Sequence, residues 1–406
     1  MPAMHEMTIG LVSHLVGDYN LGCSALAISN IHLMDAIFEE HGVRPHYRAI
    51  LPEPRQKINL KAYTTLEGFT SNNYSYRTYP RLKATLKRPS LIYRSNAFEG
   101  CDLVVDLCGG DGYTDNYGMV RLLAESLAIE GARAHAVPVY FAPQTIGPFN
   151  TKAGKMVAKR ELGRLSGLFV RDGRSYECCF SLGLKVPVRQ VIDVAFALPY
   201  EKRSLHHNGK INVGLNVSGL LYSGGYNHKN YFNLSFSYRD FIRRVVERLV
   251  GNDDVLVHLV PHVVAEDGGE GGVDDDYSVC RELRQQYPSL ILPDPFSSAS
   301  EAKSYISSMD FFSGARMHST IGAMSSGVPV VPVAYSRKFN GLYDSLGYRY
   351  LIDAKAHLSC DDAVDMFFDY FACRDELAVG VEQARPVWQA ALERYKQEFA
   401  EMVGLL

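Results

Sequence analysis

Short apolar runs recur along the chain, most of them continuous in Val, Ile, Leu and Phe rather than alternating with polar residues, and helical spacings of apolar residues separate them. The first half reads "TIGLVSHLV", a helical pattern over Ser24 to Glu40 closed by Gly42, then "HYRAIL", "CDLVVDLCGG", "AHAVPVYFAPQ", "SGLFVRD" and "RQVIDVAFAL". Strands apolar on both faces belong to parallel sheets covered by helices. A polar break, "PYEKRSLHHNGK" (Pro199 to Lys210), precedes a second series: "INVGLNVSG", "DDVLVHLVPH", "SLILPD", "MDFFSG", "VPVVPVAY" and "YLID". The pattern predicts two doubly wound, Rossmann-like α/β domains, residues 1–205 and 206–360. A helical tail over 361–406, interrupted at Pro386, is expected to pack back on the first domain.

Two stretches break the rhythm. The acidic, glycine-rich "AEDGGEGGVDDDY" (Ala265 to Tyr277) reads as a solvated surface loop, with a metal site as the sharper alternative. The basic, tyrosine-rich "SNNYSYRTYPRLKATLKRP" (Ser71 to Pro89) reads as a substrate lid or as an exposed insertion.

Composition narrows the class. The chain has 406 residues, a hydrophobic fraction of 47%, a charged fraction of 21% and a formal net charge of −3. This length exceeds the ~250–300 residues one core serves. No run approaches the ~18 apolar residues of a membrane span. The near-neutral balance gives no general pull toward nucleic acid. The N-terminus lacks a basic region before its apolar stretch, so a cytoplasmic protein is expected. The eight cysteines form no C-x-x-C pair and read as reduced thiols, and no metal site is expected.

Ligands of open α/β sheets gather beyond the C-terminal strand ends, and two facing domains would pool those ends in one cleft. "VGDYNLGCS" has the glycine spacing of a phosphate loop, but Cys23 stands before Ser24 where the phosphate-holding lysine belongs, so no nucleoside triphosphate site is read there. Asp18 and Asn20 suit either turn chemistry or hydrogen bonds to an acceptor. "GGDGYTDNYG" crowds Asp111, Tyr113, Asp115 and Asn116 among glycines, a set suited to sugar hydroxyls and a pyranose face, or to turns and helix caps. The segment "APQTIGPF" adds Gln144 on the acceptor side. Arg171 in "VRDGRS" suits a structural pair with Asp172 or a ligand carboxylate. In "FFSGARMHSTIGAMSSG", Arg316, His318 and Ser319 sit at a strand-to-helix junction, where unpaired backbone N–H groups and the helix dipole favour an anion. Alone, His318 would more often be a capping or packing histidine.

The motifs "CGGDGYTDNYG", "APQTIGPF", "FVRDGRSYECCFSLG", "VIDVAFAL", "VGLNVS", "VHLVPH" and above all "GARMHSTIGAMSSGVPVVPVAYSRKF", in this order from about Thr8 to Asp353, resemble the polysaccharide pyruvyl transferases. The resemblance implies a glycosyltransferase B-like pair of Rossmann-like domains facing across a cleft. It also implies transfer of pyruvate from phosphoenolpyruvate to two sugar hydroxyls as a cyclic ketal, with no cofactor required. Carried over by position, Arg171, Arg316, the Met317 backbone and His318 match the donor site, with Lys338 beside the phosphate; the residue chemistry adds Ser319 to the donor set and makes His318 the acid. Asp111 replaces the family's third glycine and is a candidate acceptor contact or base. Family acceptors imply a lipid-linked glycan met at the inner membrane face by a peripherally associated enzyme. Two rivals share the scaffold: a nucleotide-sugar glycosyltransferase and a non-catalytic glycan-binding module.

Overall fold

In the computed structural model, which describes residues 5–53, 74–110, 112–205, 209–264 and 272–406, the chain divides into two compact units. One comprises Met1–Gly17, Leu26–Ala197 and Ala390–Leu406; the other comprises Asp18–Ala25 and Leu198–Gln389.

The first unit is built on seven parallel strands, β1 (His5–Val12), β2 (Val43–Pro52), β3 (Tyr74–Tyr79), β4 (Leu103–Asp106), β5 (Val139–Gln144), β6 (Gly167–Val170) and β7 (Val188–Gln190). Their order in the sheet is β3-β2-β1-β4-β5-β6-β7. Chain direction across the sheet reverses between β1 and β4, whose last residues, Val12 and Asp106, lie side by side. That reversal opens a crevice beyond the strand ends. Val104, Phe141, Leu168 and Phe98 fill the core. Strand β3 falls inside the stretch read as a lid or an insertion, and this corrects that reading for residues 74–79; residues 71–73 lie outside the described ones. As an edge strand it buries Tyr79 while Ser75, Tyr76 and Arg77 are exposed, so no apolar run announces it.

The second unit has five parallel strands, β8 (Ile211–Asn216), β9 (Val255–Leu259), β10 (Phe311–Gly314), β11 (Val330–Ala334) and β12 (Ile352–Asp353). Their order is β12-β11-β10-β8-β9. The reversal lies between β8 and β10, where Asn216 stands beside Gly314. "SLILPD" does not become a strand: a single bridge joins Ile291 to His258. The helix Cys360–Ala372, opened by a Ser359/Asp362 capping box, lays Ala363, Val364 and Phe367 on this unit's core.

The last helix, Arg374–Met402, runs through Pro386 without ending. Its residues from Ala390 belong to the first unit, where Tyr395 donates to Asn30 Oδ1 at 2.7 Å and Phe399 meets Phe169 and Phe38. Among the described residues, one helix, Leu21–Glu40, is long and apolar enough to cross a bilayer, and 78% of that stretch is buried inside the protein, as for a core helix. All eight cysteines are free thiols.

Candidate active site

Asn216, the last residue of β8, organises the switch point of the second unit. Its amide donates to Val260 O (2.9 Å) and Asp276 Oδ2 (3.3 Å), and its Oδ1 accepts the N–H of Arg316 (2.9 Å). Gly314 is required here by space, since a Cβ would come within 2.8 Å of Asn216 Cβ. These contacts fix the residue before the helix Met317–Ser325 in extended conformation.

The Arg316 side chain lies in a carboxylate clamp. Nε donates to Asp276 Oδ1 and Oδ2 (3.2 and 3.3 Å), and Nη2 donates to Asp276 Oδ1 (2.7 Å), Asp274 Oδ1 (2.7 Å) and Asp274 O (2.8 Å). Asp276 is fully buried and also accepts the backbone N–H groups of Gly219, His262 and Val263. Burial works against the guanidinium charge, but Asp276 and Asp274 outweigh it and raise the pKa of Arg316 above its ordinary value. This amends the expectation of a donor grip: one edge of the fork is filled by protein carboxylates, and Nη1 takes no part in these bonds. The acidic stretch read as a solvated loop or metal site supplies the clamp, so neither reading holds for Asp274 and Asp276; residues 265–271 lie outside the described ones.

Met317 and His318 are half-buried in the first turn of the helix, which no side chain caps. First-turn N–H groups lack intrahelical acceptors and carry the positive end of the dipole. Ser319 is fully buried and its hydroxyl donates to Arg316 O at 2.7 Å, so it closes the turn instead of meeting a donor, a correction of its expected role. Lys338 is half-buried in the first turn of the helix Arg337–Ser345, which follows β11.

The segment Asp18–Ala25 packs in this unit rather than on an acceptor side of the first domain. Asp18 Oδ1 accepts the Asn20 N–H (2.8 Å) and Asn20 Oδ1 accepts that of Gly22 (3.0 Å), the turn chemistry among the two alternatives. Asn20 bridges Val263, and Leu21 N–H donates to His262 O at 2.9 Å. Gly22 lies against the His318 ring: a Cβ there would be 2.4 Å from Nδ1. His262, in the quoted "VHLVPH" but not singled out, is 4% exposed with neither ring nitrogen hydrogen-bonded.

Within the first unit, Arg171 follows β6 and is buried. Its Nη1 donates to Asp193 Oδ2 at 2.6 Å and its Nε to Thr145 Oγ1 at 3.0 Å. The expected partner Asp172 instead caps the helix Gly173–Ser181 by accepting from Ser175 N–H. Tyr113 is wholly buried, bonded through its hydroxyl to Ser126 Oγ (2.6 Å) and set edge-on to Phe141 and Phe149, so no face is left for a sugar. Asp115 accepts from Asn150 N–H, Thr151 N–H and Thr151 Oγ1 at 2.7–2.9 Å. Burial raises its pKa, and these bonds more than reverse the shift to leave it lowered. Both residues brace the loop before the helix Lys152–Leu162, which corrects their assignment to the acceptor. Asp111 lies outside the described residues. Gln144 keeps an open role: it is 2% exposed, its amide makes a long 3.4 Å bond to Asp106 O, and its buried Oε1 has no hydrogen-bond partner.

A separate cavity of about 380 Å³ in the second unit is lined by Tyr222, Tyr231, Phe232 and Tyr238 among others, and none of its lining residues belongs to the switch-point group. Among the described residues no His, Cys, Asp and Glu side chains cluster as metal ligands.

The family model described as Polysaccharide pyruvyl transferase matches residues 20–337. The chain belongs to this family. Among solved structures, this pyruvyl transferase-family chain is similar to a putative UDP-N-acetylglucosamine 2-epimerase from Listeria monocytogenes (TM-score 0.60, 11% identity, 98% of this chain and 97% of that one). It is also similar to sucrose-phosphate synthase from Thermosynechococcus elongatus (0.57, 12%, 98% and 100%) and to S. aureus MnaA with UDP (0.58, 12%, 99% and 98%). At these identities the likeness concerns the fold alone, two Rossmann-like units of glycosyltransferase B-like type. No curated protein matches the chain significantly.

Proposed function

We propose that this family member transfers pyruvate from phosphoenolpyruvate to two hydroxyls of one sugar in a polysaccharide or lipid-linked precursor, forming a cyclic ketal and releasing phosphate. The observation that carries the reading is the seat of His318, a histidine half-buried in the uncapped first turn of a helix at a topological switch point, backed by a glycine that sets its ring.

Phosphoenolpyruvate carries two anionic groups, and an uncapped helix start is an anion seat. The reaction opens with a proton delivered to the methylene carbon, leaving an oxocarbenium-like centre. One sugar hydroxyl adds and loses its proton, phosphate departs, and the second hydroxyl adds and loses its own. His318 is the acid, because its imidazolium at the anion seat can hand a proton to the methylene carbon. With Arg316 held by Asp274 and Asp276, the donor meets at most its Nη1 edge, the Met317 backbone and the charge of Lys338. Gln144 Oε1 is the acceptor-side group with capacity to receive a sugar hydroxyl, and Asp111 is a candidate base. These steps call on no metal or cofactor, and the acceptor is met at the inner face of the membrane.

The test is incubation with phosphoenolpyruvate and a panel of lipid-linked and nucleotide-linked sugars, followed by mass spectrometry. A pyruvate-ketal product with stoichiometric phosphate is expected. Glycosyl transfer from a nucleotide sugar, with thermal stabilisation by UDP and none by phosphoenolpyruvate, would overturn the reading.

A further inference from the structure

His262 stands just beyond β9 with its main chain clamped on both sides. Its N–H donates to Asp276 Oδ2 at 3.1 Å, the carboxylate that holds Arg316, and its carbonyl accepts the Leu21 N–H at 2.9 Å, one residue before the glycine that backs His318. These two bonds fix the backbone of His262 beside the contacts that assemble the site. The residue is 4% exposed, and neither Nδ1 nor Nε2 has a hydrogen-bond partner.

Such an orphan is uncommon, because a buried polar group without a partner forfeits its bonds to water and gains nothing in return. The neighbouring histidine His258 shows the ordinary solution, with one nitrogen paired to Tyr305 Oη and the other to Asn212 Oδ1. Packing alone would be served better by leucine. Burial, and then the charges of His318 and Arg316, hold the His262 pKa down to about 3, so the ring is neutral and carries one N–H donor and one lone pair. The start of the helix Met317–Ser325 adds its partial positive charge, while the Arg316 charge is already met by Asp274 and Asp276. An unpaired N–H donor in a desolvated setting can serve an anion, and the engagement of Arg316 by two carboxylates leaves an incoming anion in need of other donors.

We infer that His262 is a further ligand of the phosphate group that the start of the helix Met317–Ser325 receives, its ring N–H donating to a phosphate oxygen. The identification of that phosphate with phosphoenolpyruvate rests on the function proposed above. The neutral ring also suits a monoprotonated phosphate, because its lone pair accepts from P–OH while its N–H donates to another oxygen.

The experiment compares the wild-type chain with His262→Leu and His262→Gln by calorimetric titration of inorganic phosphate and, separately, of phosphoenolpyruvate, alongside melting of the unliganded proteins. His262→Leu should melt at or above the wild-type temperature, since it removes two orphaned atoms, and should bind phosphate more weakly by on the order of tenfold to a hundredfold. His262→Gln, which keeps an N–H donor, should fall between the two. If the leucine variant does not fold, the glutamine variant carries the comparison. Unchanged phosphate affinity in the variants, or no phosphate binding by the wild type, overturns the inference. Phosphate bound through His262 without any binding of phosphoenolpyruvate upholds this ligand and sinks the donor reading instead.

Discussion

The imidazole of His318 rests on the backbone of Gly22, so close that a Cβ at residue 22 would sit 2.4 Å from Nδ1 and 3.1 Å from Cγ. Gly22 is thus a spacing residue: it lets the first turn of one helix support the side chain of another. Gly22→Ala should push the ring from its seat. A displacement of that size is expected to lower single-turnover ketal formation by about tenfold to a hundredfold, with a smaller change in donor affinity. Equal loss of both would mean that Gly22 shapes the pocket and not the acid.

His318→Ala should act on the chemical step more severely still. The rate constant is expected to fall by on the order of 10² or more if the ring is the general acid, while equilibrium binding of phosphoenolpyruvate changes much less. Near-normal turnover would remove His318 from the mechanism.

Arg316 is expected to show itself first in stability. Arg316→Ala would leave the fully buried Asp276 without its counter-charge, and breaking a buried pair in this way costs about 3–5 kcal/mol. Arg316→Lys should lose less, since its ammonium keeps the counter-charge to Asp276 even though it cannot fork to both carboxylates. Urea unfolding of the two variants measures this. A melting profile like the wild type's, with donor binding abolished, would restore the arginine to a purely ligand-binding role.

On the first unit, Tyr113→Phe and Asp115→Ala should lower stability, by about 1 kcal/mol for the first and about 1–3 kcal/mol for the second, and leave the acceptor KM nearly unchanged. Gln144→Leu should do the reverse, raising acceptor KM while stability holds or improves, because its buried Oε1 is unpaired in the free protein. Steady-state kinetics beside thermal melts separates the two patterns.

A pH effect is expected from Lys303, which lies in the helix Ala299–Ile306. Its Nζ donates to Leu198 O at 2.9 Å, and burial lowers its pKa from 10.5 to about 7. Between those two values the unfolded chain binds the proton that the folded chain has released, so stability contributed by this site rises with pH from about 7 to about 10.5 and the full penalty is present below 7. The unfolding free energy of Lys303→Met relative to wild type should therefore fall by a few kcal/mol as pH is raised across that window. A flat difference would show that the ammonium keeps its charge in the fold.

Most strands, their parallel arrangement and the junction at Arg316 were legible in the residue order, because each depends on neighbours within one turn or one run: Phe311–Gly314 is apolar, and Met317, Ile321 and Met324 recur at helical spacing up to Gly327. Strand β3 was not legible, and "SLILPD" reads as a strand but forms only a single bridge. What the polar side chains meet was not legible. Asp276 and Asp274 lie 40 and 42 residues from Arg316, and reach it because the order β10-β8-β9 brings the end of one crossover beside another. Tyr113 and Asp115 carry the composition of a sugar site, yet burial against Phe141 and Phe149 and the bonds to Thr151 turn them into supports. Local spacing decides secondary structure through backbone geometry and solvent, whereas a polar group's role follows from which distant donor or charge the folded chain places within about 3 Å of it. For this reason the clamp on Arg316, the seat of His318 and the orphaned ring of His262 emerged only from the packed strand ends.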